Sequence, residues 1–255
     1  MKLAMFDLTG KVAIVTGGCS GLGIAFSEAL AEAGANIVIA DIIVGTPQCQ
    51  EACSAVEKFG VKVLPVKCDV TNPESVDNLM ATTVKELGKI DILVNSAGIF
   101  GDNKRIVDMS VENLDRVLAV DLRGSFLCCQ AAAREMIKRN EGKIINIASA
   151  SSYKAMAGLG AYAAAKAGVI MLTKTLALEL ARYNIQVNAL SPAYFITPLN
   201  RDFFESEAGK KLISTWPMRR PGNPDELKGM IVYLASSASS YTTGAEVPVE
   251  GGQWL

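Results

Sequence analysis

Residues 11–23 read Lys-Val-Ala-Ile-Val-Thr-Gly-Gly-Cys-Ser-Gly-Leu-Gly, a short apolar run followed by a turn with four glycines. The β-branched residues in this run favour a buried strand. A helical pattern over 24–33, closed by Gly34, follows the turn. The order of strand, glycine turn and helix decides the fold, because it is the first half of a parallel α/β unit.

The same alternation continues along the chain. Further strands are predicted at 36–40, 61–66, 90–94, 143–148 and 185–189, with helices between them that include 111–139 and 161–183. Ser110, Asn72 and Asn223 each stand where a helix N-cap is expected. Alternating strands and helices predict one α/β domain over residues 1–255, a Rossmann-type doubly wound parallel sheet with helices on both faces.

One segment, 197–224, departs from this pattern and is rich in charged and aromatic residues. It follows the sixth predicted strand, so we expect it to be an excursion that serves as a substrate loop. Its Phe203, Phe204 and Trp216 can line a substrate pocket, pack down as a lid or contact another subunit. The sequence does not choose among these three roles.

Composition limits the classes of partner. The 255 residues carry a net charge of −1, half of them are hydrophobic, and no run of basic residues is longer than two. We therefore expect a packed globule with small-molecule partners, and neither nucleic acid nor membrane. The longest apolar stretches fall short of the ~20 residues that span a bilayer, and no signal peptide is recognisable. A cytoplasmic location is expected.

Cysteine usage points the same way. The six cysteines form no Cys-x-x-Cys motif, and the chain has no histidine. A zinc site is therefore not expected, and no metal is predicted. We expect the cysteines to act as small buried hydrophobic residues in a reducing compartment.

The glycine turn predicts a site for the pyrophosphate of a dinucleotide. Gly17, Gly21 and Gly23 let the backbone approach phosphates and let the helix pack closely on the strand, and the helix dipole favours negative charge there. Asp41 lies 18 residues beyond Gly23, at the end of the second strand, where a carboxylate accepts hydrogen bonds from ribose hydroxyls. No basic residue follows it in Ile42-Ile43, so NAD is favoured over NADP. The alternative is an ordinary acid at a strand end.

A second motif supplies acid/base chemistry. Tyr162 and Lys166 are four residues apart, so both project from one face of a helix. A tyrosine titrates near ~10, and a neighbouring cation lowers that value toward the range of a useful base. Ser149 ends the strand 143–148, where its hydroxyl can hold a substrate oxygen. Ser151 and Ser152 are weaker alternatives for that role.

Together these motifs resemble those of the short-chain dehydrogenase/reductase family, over nearly the whole chain. The resemblance implies that Ser149 binds the substrate oxygen, that Tyr162 exchanges the proton, and that Lys166 lowers the pKa of the tyrosine and binds the nicotinamide ribose. It implies a set of cofactor-binding residues, which are Gly17, Cys19, Ser20, Gly21, Leu22, Gly23, Asp41, Ile42, Asp69, Val70, Asn95, Ala97, Gly98, Tyr162, Lys166, Pro192, Phe195 and Thr197.

Three positions depart from the family pattern. Asp121 replaces the usual asparagine that props a helix kink and a water on the proton path to the lysine, so it joins the predicted catalytic residues with a group that can carry charge. Ser96 replaces a second asparagine after Asn95. Ala193 replaces a glycine after Pro192, which costs little only if the backbone there is extended.

The predicted function is NAD-dependent hydride transfer between nicotinamide and a secondary alcohol or ketone. The stretch 192–200 resembles that of gluconate 5-dehydrogenase-type members, which act on sugar acids and polyols. A 3-oxoacyl carrier-protein reductase is the alternative within the family, and a nucleotide-binding regulator without turnover is the alternative of another class. The long apolar helices and the apolar chain end over 251–255 predict symmetric association, and the family resemblance implies a homotetramer.

Overall fold

The computed structural model describes residues 3–197 and 200–253, and its framework is one sheet of seven parallel strands. The strands are β1 (Val12–Thr16), β2 (Asn36–Asp41), β3 (Val63–Lys67), β4 (Ile92–Asn95), β5 (Gly142–Ile147), β6 (Ile185–Pro192) and β7 (Glu246–Val249). Their spatial order is β3-β2-β1-β4-β5-β6-β7. The order reverses between β1 and β4, so their carboxyl ends open a crevice where open α/β sheets bind ligands.

Nine α-helices are described in residues 3–197 and 200–253. They are α1 (Gly21–Glu32), α2 (Pro47–Glu57), α3 (Pro73–Leu87), α4 (Val111–Val117), α5 (Ser125–Ile137), α6 (Gly160–Leu180), α7 (Arg201–Glu205), α8 (Glu207–Ile213) and α9 (Lys228–Ala235). Two apolar clusters cover the sheet, one containing Phe26 and Ile231, the other Leu79 and Met136. Helices therefore lie on both faces, and the predicted α/β class with a doubly wound parallel sheet is confirmed.

The strands are buried because both faces of the sheet are covered. All five residues of β1 and all eight of β6 are buried. This explains why β1 is an almost continuous apolar run rather than an alternating one, whereas β6 also buries Gln186, Asn188 and Ser191. Asn72, Ser110 and Asn223 accept hydrogen bonds from backbone N–H groups at the starts of their helices, as predicted.

The prediction of one continuous helix over 111–139 was wrong. A π-helical segment, Leu118–Gly124, separates α4 from α5. A π segment holds one extra residue per turn, and Asp121 lies within it, fully buried. Tertiary contacts decide this irregularity, since apolar periodicity alone continues through it.

Strand β7 was not predicted. Its four residues, Glu-Val-Pro-Val, are short, include a proline and are only partly buried, so they lack the apolar run that marks the other strands. They form a strand because they pair with β6 between Ala189↔Glu246 and Pro192↔Val249. A proline is tolerated there because the strand lies at the edge of the sheet.

The predicted helix over 161–183 is confirmed as a helical stretch over 160–183, which is more apolar over its length than the sequence analysis expected. It runs for 24 residues with a mean hydropathy of 1.2, which suffices by length and composition to cross a bilayer. The same stretch carries Tyr162 and Lys166 and packs against β5 and β6. Helices in the core of globular proteins meet the same criterion, so we assign it to the core.

The excursion at 197–224 contains the short helices α7 and α8. Phe204 and Trp216 are buried, whereas the side chain of Phe203 is 47% exposed. Two of the three aromatic residues therefore pack down onto the domain. Pro198 and Leu199 in this segment, and Trp254 and Leu255 at the chain end, lie outside the described residues, so the prediction that used the apolar chain end is not addressed.

Candidate active site

The glycine turn adopts the conformation that phosphate binding requires. Gly17 and Gly21 have φ values of +67° and +52°, which favour glycine. A Cβ on Gly23 would lie 2.2 Å from the Gly17 carbonyl oxygen, so Gly23 allows α1 to approach the turn closely. A Cβ on Gly21 meets nothing within 4 Å. The prediction that glycine lets the helix pack closely is therefore correct for Gly23. At Gly21, glycine is favoured by the positive φ instead.

The start of α1 is open to a ligand. Ser20 occupies the N-cap position, but its side chain caps no backbone N–H, and Ser20 and Gly21 are exposed. The first N–H groups of a helix have no acceptor within the helix. Together with the helix dipole, these donors provide a site for an anionic group. This supports the cofactor role predicted for Cys19, Ser20, Gly21 and Leu22.

Asp41 lies next to this turn at the end of β2. It is 9% exposed, and its carboxylate accepts hydrogen bonds from the backbone N–H groups of Cys19 at 3.1 Å and Ile43 at 3.2 Å. No salt bridge to Asp41 occurs within residues 3–197 and 200–253. No cation of the described residues therefore pairs with this carboxylate beside the predicted ribose site.

Lys166 is the centre of a second cluster. The residue is 4% exposed, and its Nζ donates to the Ile147 carbonyl oxygen at 2.9 Å, where β5 ends. The same atom lies 3.3 Å from Asp121 Oδ2. It also lies 5.5 Å from the centre of the Tyr162 ring. The ammonium therefore joins a strand end by a hydrogen bond, the π segment by its charge and the tyrosine by a cation–π contact.

Ser149 completes the cluster on the substrate side. It is 9% exposed, two residues beyond β5, and its hydroxyl is near enough to Tyr162 to lower the pKa of the phenol. The Ser149 hydroxyl also lies 2.8 Å from that of Ser151. Ser151 is therefore placed as a partner of Ser149. The hydroxyl of Ser152 is buried without a hydrogen-bond partner.

The pKa of Tyr162 shows which effect dominates. Burial raises it above the ordinary value of 10.0, and the charge of Asp121 raises it further, while Lys166 and Ser149 lower it. The lysine acts in the predicted direction, but the prediction of a net decrease was wrong for the protein without cofactor. The phenol is therefore protonated at neutral pH and is prepared to donate a proton.

Asp121 is fully buried in the π segment. Its Oδ1 accepts a hydrogen bond from the Ile99 N–H at 2.8 Å, whereas Oδ2 faces Lys166 without hydrogen-bond geometry. Burial raises the pKa of this carboxyl, and the lysine charge opposes that rise. A Cβ on Gly98 would lie 3.0 Å from Asp121 Oδ2, so the segment after β4 closes over the pair.

Other predicted residues occupy the same edge with different contacts. Asn95 donates from its amide to Asn146 Oδ1 at 2.8 Å inside the domain, so its side chain points away from the cluster. Ala97 donates its N–H to Thr16 Oγ1 at 3.2 Å, which joins the segment after β4 to the glycine turn. Asp69 and Ile42 are exposed, and Val70 is buried against Gly124 of the π segment.

The segment after β6 brings in the last predicted residues. Pro192 pairs with Val249, and Ala193 has no positive φ, so the replacement of glycine is tolerated as expected. The side chain of Phe195 is buried over Gly222, where a Cβ would lie 2.4 Å from the ring. Thr197 donates its N–H to Asn200 Oδ1 at 2.8 Å.

Sequence reasoning missed two aromatic residues of this site. The ring of Phe100 lies 4.7 Å from that of Tyr162, and the phenol of Tyr194 is close enough to Tyr162 for electrostatic interaction. Phe100 directly follows the segment 95–98, and Tyr194 lies between Pro192 and Phe195. In the sequence, the one indication that either residue belongs to the site is its position next to a predicted motif.

The residues present fit a nicotinamide dinucleotide. The uncapped start of α1 would hold the pyrophosphate, Asp41 the adenosine ribose, and Lys166 with Tyr162 the nicotinamide ribose. The bound nucleotide supplies the carbon that accepts or donates a hydride. No group of three or more Cys, Asp or Glu side chains that could hold a metal ion occurs within residues 3–197 and 200–253.

Comparison with known proteins supports this assignment. A family profile described as enoyl-(acyl carrier protein) reductase matches residues 17–253. The chain is 36% identical to the 2-dehydro-3-deoxy-D-gluconate 5-dehydrogenase of Formosa agariphila, covering 99% of this chain and 96% of that protein. It is 36% identical to the NAD-dependent glycerol dehydrogenase of Listeria innocua, covering 97% and 95%. It is 38% identical to the 3-oxoacyl-[acyl-carrier-protein] reductase of Thermotoga maritima, covering 96% and 98%.

A solved structure shows the same architecture. The gluconate 5-dehydrogenase of Burkholderia cenocepacia, crystallised with NADP and tartrate, superposes with a TM-score of 0.91 at 37% identity, covering 98% of this chain and 97% of that one. The chain belongs to the short-chain dehydrogenase/reductase family. It is therefore an oxidoreductase that acts on alcohol and ketone groups.

Proposed function

We propose that the protein is an NAD-dependent dehydrogenase of a sugar, sugar acid or polyol that contains a secondary alcohol. The observation that carries this proposal is the Lys166 cluster, where a buried ammonium, the Tyr162 phenol and the Ser149 hydroxyl meet at the carboxyl edge of the sheet. The relatives named for sugar-acid and glycerol oxidation support the substrate class.

Each residue of the cluster has a distinct task in this proposal. Ser149 orients the substrate oxygen by a hydrogen bond, and Tyr162 takes the alcohol proton as the phenolate during oxidation or donates a proton as the phenol during reduction. Lys166 stabilises the phenolate once it forms, because its ammonium lies beside the ring. Asp121 positions Lys166 and modulates the charge that the tyrosine experiences.

NAD is proposed over NADP because of Asp41. A 2′-phosphate would stand beside a carboxylate that meets no cation in the described parts of the chain. Contact between like charges costs several kcal/mol in unfavourable cases. A cost of about 1.4 kcal/mol already changes the preference between the two cofactors tenfold. One relative is named as NAD-dependent and another was crystallised with NADP, so the proposed preference for NAD rests on the residues of this chain.

The test is a matrix of cofactors and substrates. Purified protein is mixed with NAD or NADP and gluconate, glycerol, xylitol or mannitol, and the absorbance of reduced nicotinamide is followed. We expect turnover with at least one of these alcohols, and with NAD in preference. Absence of turnover with all of them, together with tight NAD binding, would favour the nucleotide-binding regulator instead.

A reductase of 3-oxoacyl groups is the second candidate. The Thermotoga maritima relative favours it. Acetoacetyl-CoA with NADH or NADPH serves as its probe in the same matrix. A kcat/KM for acetoacetyl-CoA that exceeds those for all the polyols would make this the function.

We also propose that the protein is a cytoplasmic homotetramer. Large apolar side chains are exposed on three successive helices, at Val111 of α4, Phe126 of α5, and Met171 and Leu178 of α6. Exposed apolar groups of this kind favour symmetric association. The six cysteines are free thiols, as the cytoplasm requires. Light scattering at micromolar concentration tests the assembly, and a monomeric mass would contradict it.

A further inference from the structure

Tyr194 is held in a fixed place beside the catalytic cluster. It follows β6 by two residues, and its carbonyl oxygen accepts the N–H of Gly222 at 2.9 Å. Ile196 in turn donates its N–H to the Gly222 carbonyl oxygen at 2.9 Å. These two bonds tie the segment after β6 to the end of the excursion, so the backbone of Tyr194 is anchored from both sides.

The ring of Tyr194 is clamped as well. It stacks on Trp216 with 5.2 Å between ring centres and 15° between planes. The ring of Phe204 meets its edge at 5.8 Å and 86°. Trp216 and Phe204 are both buried, so the excursion supplies a rigid wall for one face of the tyrosine. Packed aromatic pairs of this geometry hold a side chain in one orientation.

The hydroxyl of Tyr194 has a weak protein partner. It lies 3.6 Å from Met156 Sδ, and a thioether sulfur is a weak acceptor. A partly buried phenol usually finds a stronger acceptor. Burial and the neighbouring Tyr162 both raise the pKa of Tyr194, so its hydroxyl remains a neutral proton donor at physiological pH. The Tyr194 hydroxyl is therefore a hydrogen-bond donor held in a fixed position, and its acceptor within the protein is weak.

This donor borders the space in which the substrate reacts. Met156, whose sulfur lies 3.6 Å from the Tyr194 hydroxyl, belongs to the segment that joins Ser149 to Tyr162, and the phenols of Tyr194 and Tyr162 are near enough to interact electrostatically. Phe100 lies against the Tyr162 ring, 4.7 Å away, and is 55% exposed. The cleft thus offers apolar ring surfaces together with a second hydroxyl donor beyond the Ser149–Tyr162 pair.

We propose that Tyr194 is a specificity-determining residue whose hydroxyl donates a hydrogen bond to a second substrate oxygen, close to the one that reacts. The substrate class is then an alcohol with a vicinal hydroxyl or a similarly placed oxygen. This inference rests on the proposed function, since it refines the substrate of the same site. It does not require Tyr194 to take part in proton or hydride transfer.

The physical basis is the cost of an unpaired polar group. A substrate that lacks the second oxygen leaves the Tyr194 hydroxyl with only the thioether once the cleft closes over it. A site built to hydrogen-bond a substrate oxygen rejects an analogue without that oxygen more strongly than an apolar pocket rejects an extra methylene. Selectivity for hydroxylated substrates follows.

The experiment compares two probes that differ by one oxygen. Butane-2,3-diol and butan-2-ol are each assayed with NAD, and their kcat/KM values are taken for the native protein and for Tyr194→Phe. The phenylalanine keeps the stack on Trp216 and removes the hydroxyl. We expect the variant to lose about tenfold in kcat/KM for the diol and to keep its kcat/KM for butan-2-ol.

The matched control is Tyr233→Phe. Tyr233 also bears a partly buried hydroxyl, which lies 2.8 Å from Thr242 Oγ1 in a different part of the domain. The Tyr233→Phe substitution should leave kcat/KM unchanged for both butane-2,3-diol and butan-2-ol. Equal kcat/KM values of the native protein for the two probes, or equal losses for both in Tyr194→Phe, would overturn the proposal.

A binding measurement separates this inference from the proposed function. The affinity of each probe for the complex with NADH is read from the fluorescence of the reduced nicotinamide. If neither probe is oxidised but Tyr194→Phe weakens the diol about tenfold, the inference stands and the proposed dehydrogenation fails. If butan-2-ol alone is oxidised, dehydrogenation stands and the inference fails. If the diol neither reacts nor binds, the inference is overturned.

Discussion

Two buried carboxylates lie at the same edge of the sheet and are stabilised in different ways. Asp41, at the end of β2, is satisfied by the N–H groups of Cys19 and Ile43. Asp121, in the π segment, has one N–H partner, Ile99, and faces Lys166 at 3.3 Å. Backbone partners carry no net charge, whereas a lysine does.

This difference assigns the two acids to different tasks. The charge of Asp41 is left uncompensated, so it acts on whatever occupies the neighbouring ribose site and selects the cofactor. The charge of Asp121 is shared with Lys166 and reaches Tyr162, so it acts on proton transfer. Cofactor recognition and proton chemistry therefore depend on separate residues of one crevice.

The largest expected effect tests that separation directly. Tyr162→Phe removes the group that exchanges the substrate proton and leaves the turn and Asp41 unchanged. We expect kcat to fall about a thousandfold while NAD affinity stays nearly the same. Steady-state kinetics and NADH fluorescence titration measure the two quantities. The control is Tyr241→Phe at a fully exposed position, which should match the native protein. A parallel loss of NAD affinity in Tyr162→Phe would show that the two regions are not independent.

The next effect concerns the Asp41 side. The native protein should prefer NAD at least about tenfold in kcat/KM, and Asp41→Asn should bring the ratio close to unity, because the amide removes the repulsion of a 2′-phosphate. The amide oxygen can still accept the Cys19 N–H. Asp77→Asn, at an exposed position of α3, is the matched control. Equal kcat/KM values for both cofactors in the native protein would refute the assignment.

A smaller effect concerns the Asp121 side. The Asp121 charge raises the pKa of Tyr162, so its removal in Asp121→Asn should lower that pKa. Alcohol oxidation needs the phenolate, and the acid limb of kcat against pH should therefore move to lower pH while most of kcat is retained. A profile that overlays the native one would reject the charge coupling. A loss as severe as that of Tyr162→Phe would show that the carboxylate itself exchanges protons.

The smallest expected effect concerns the contribution of a third acid, Glu246, to stability. Within the described residues, its side chain accepts no backbone N–H and forms no salt bridge. Glu246 accepts the Ser191 hydroxyl at 2.6 Å, its Oε2 lacks a hydrogen-bond partner, and burial raises its pKa from 4.5 to about 7. The folded state binds this proton more tightly than the unfolded state, so the stability it contributes is full below pH 4.5 and is lost as pH rises through 7.

Glu246→Gln should therefore raise the free energy of unfolding by about 1 kcal/mol above pH 7, allowing for the partial exposure of the site, and by nothing below pH 4.5. Urea unfolding at the two extremes measures the difference. A stabilisation of equal size at both would trace the effect to packing instead of charge.

Much of the molecule could be predicted because local patterns and tertiary structure agree. The apolar, β-branched runs predicted six of the strands to within a few residues, because a sheet covered on both faces favours apolar residues along its strands. The four-residue spacing of Tyr162 and Lys166 placed both on one helix face. Ser149 was placed correctly because the ends of parallel strands meet at one edge.

The errors have a common cause. The π segment around Asp121 and the edge strand β7 arise from contacts with distant residues, which periodicity does not encode. The net rise in the pKa of Tyr162 depends on burial, and burial depends on tertiary contacts such as that of Phe100 with the ring. Tyr194 was overlooked because its partners Trp216 and Phe204 are distant in the chain.

The sequence by itself determined the alternation of strands and helices, the glycine turn, the acid at the end of β2 and the pairing of tyrosine with lysine, because each depends on residues within one or two neighbouring elements. The tertiary structure alone decided that Asp121 contacts Lys166, that Asn95 points into the interior, and that Tyr194 is clamped beside Tyr162. These contacts join segments far apart in the chain, and their energies depend on burial and distance, which exist only once the chain is folded.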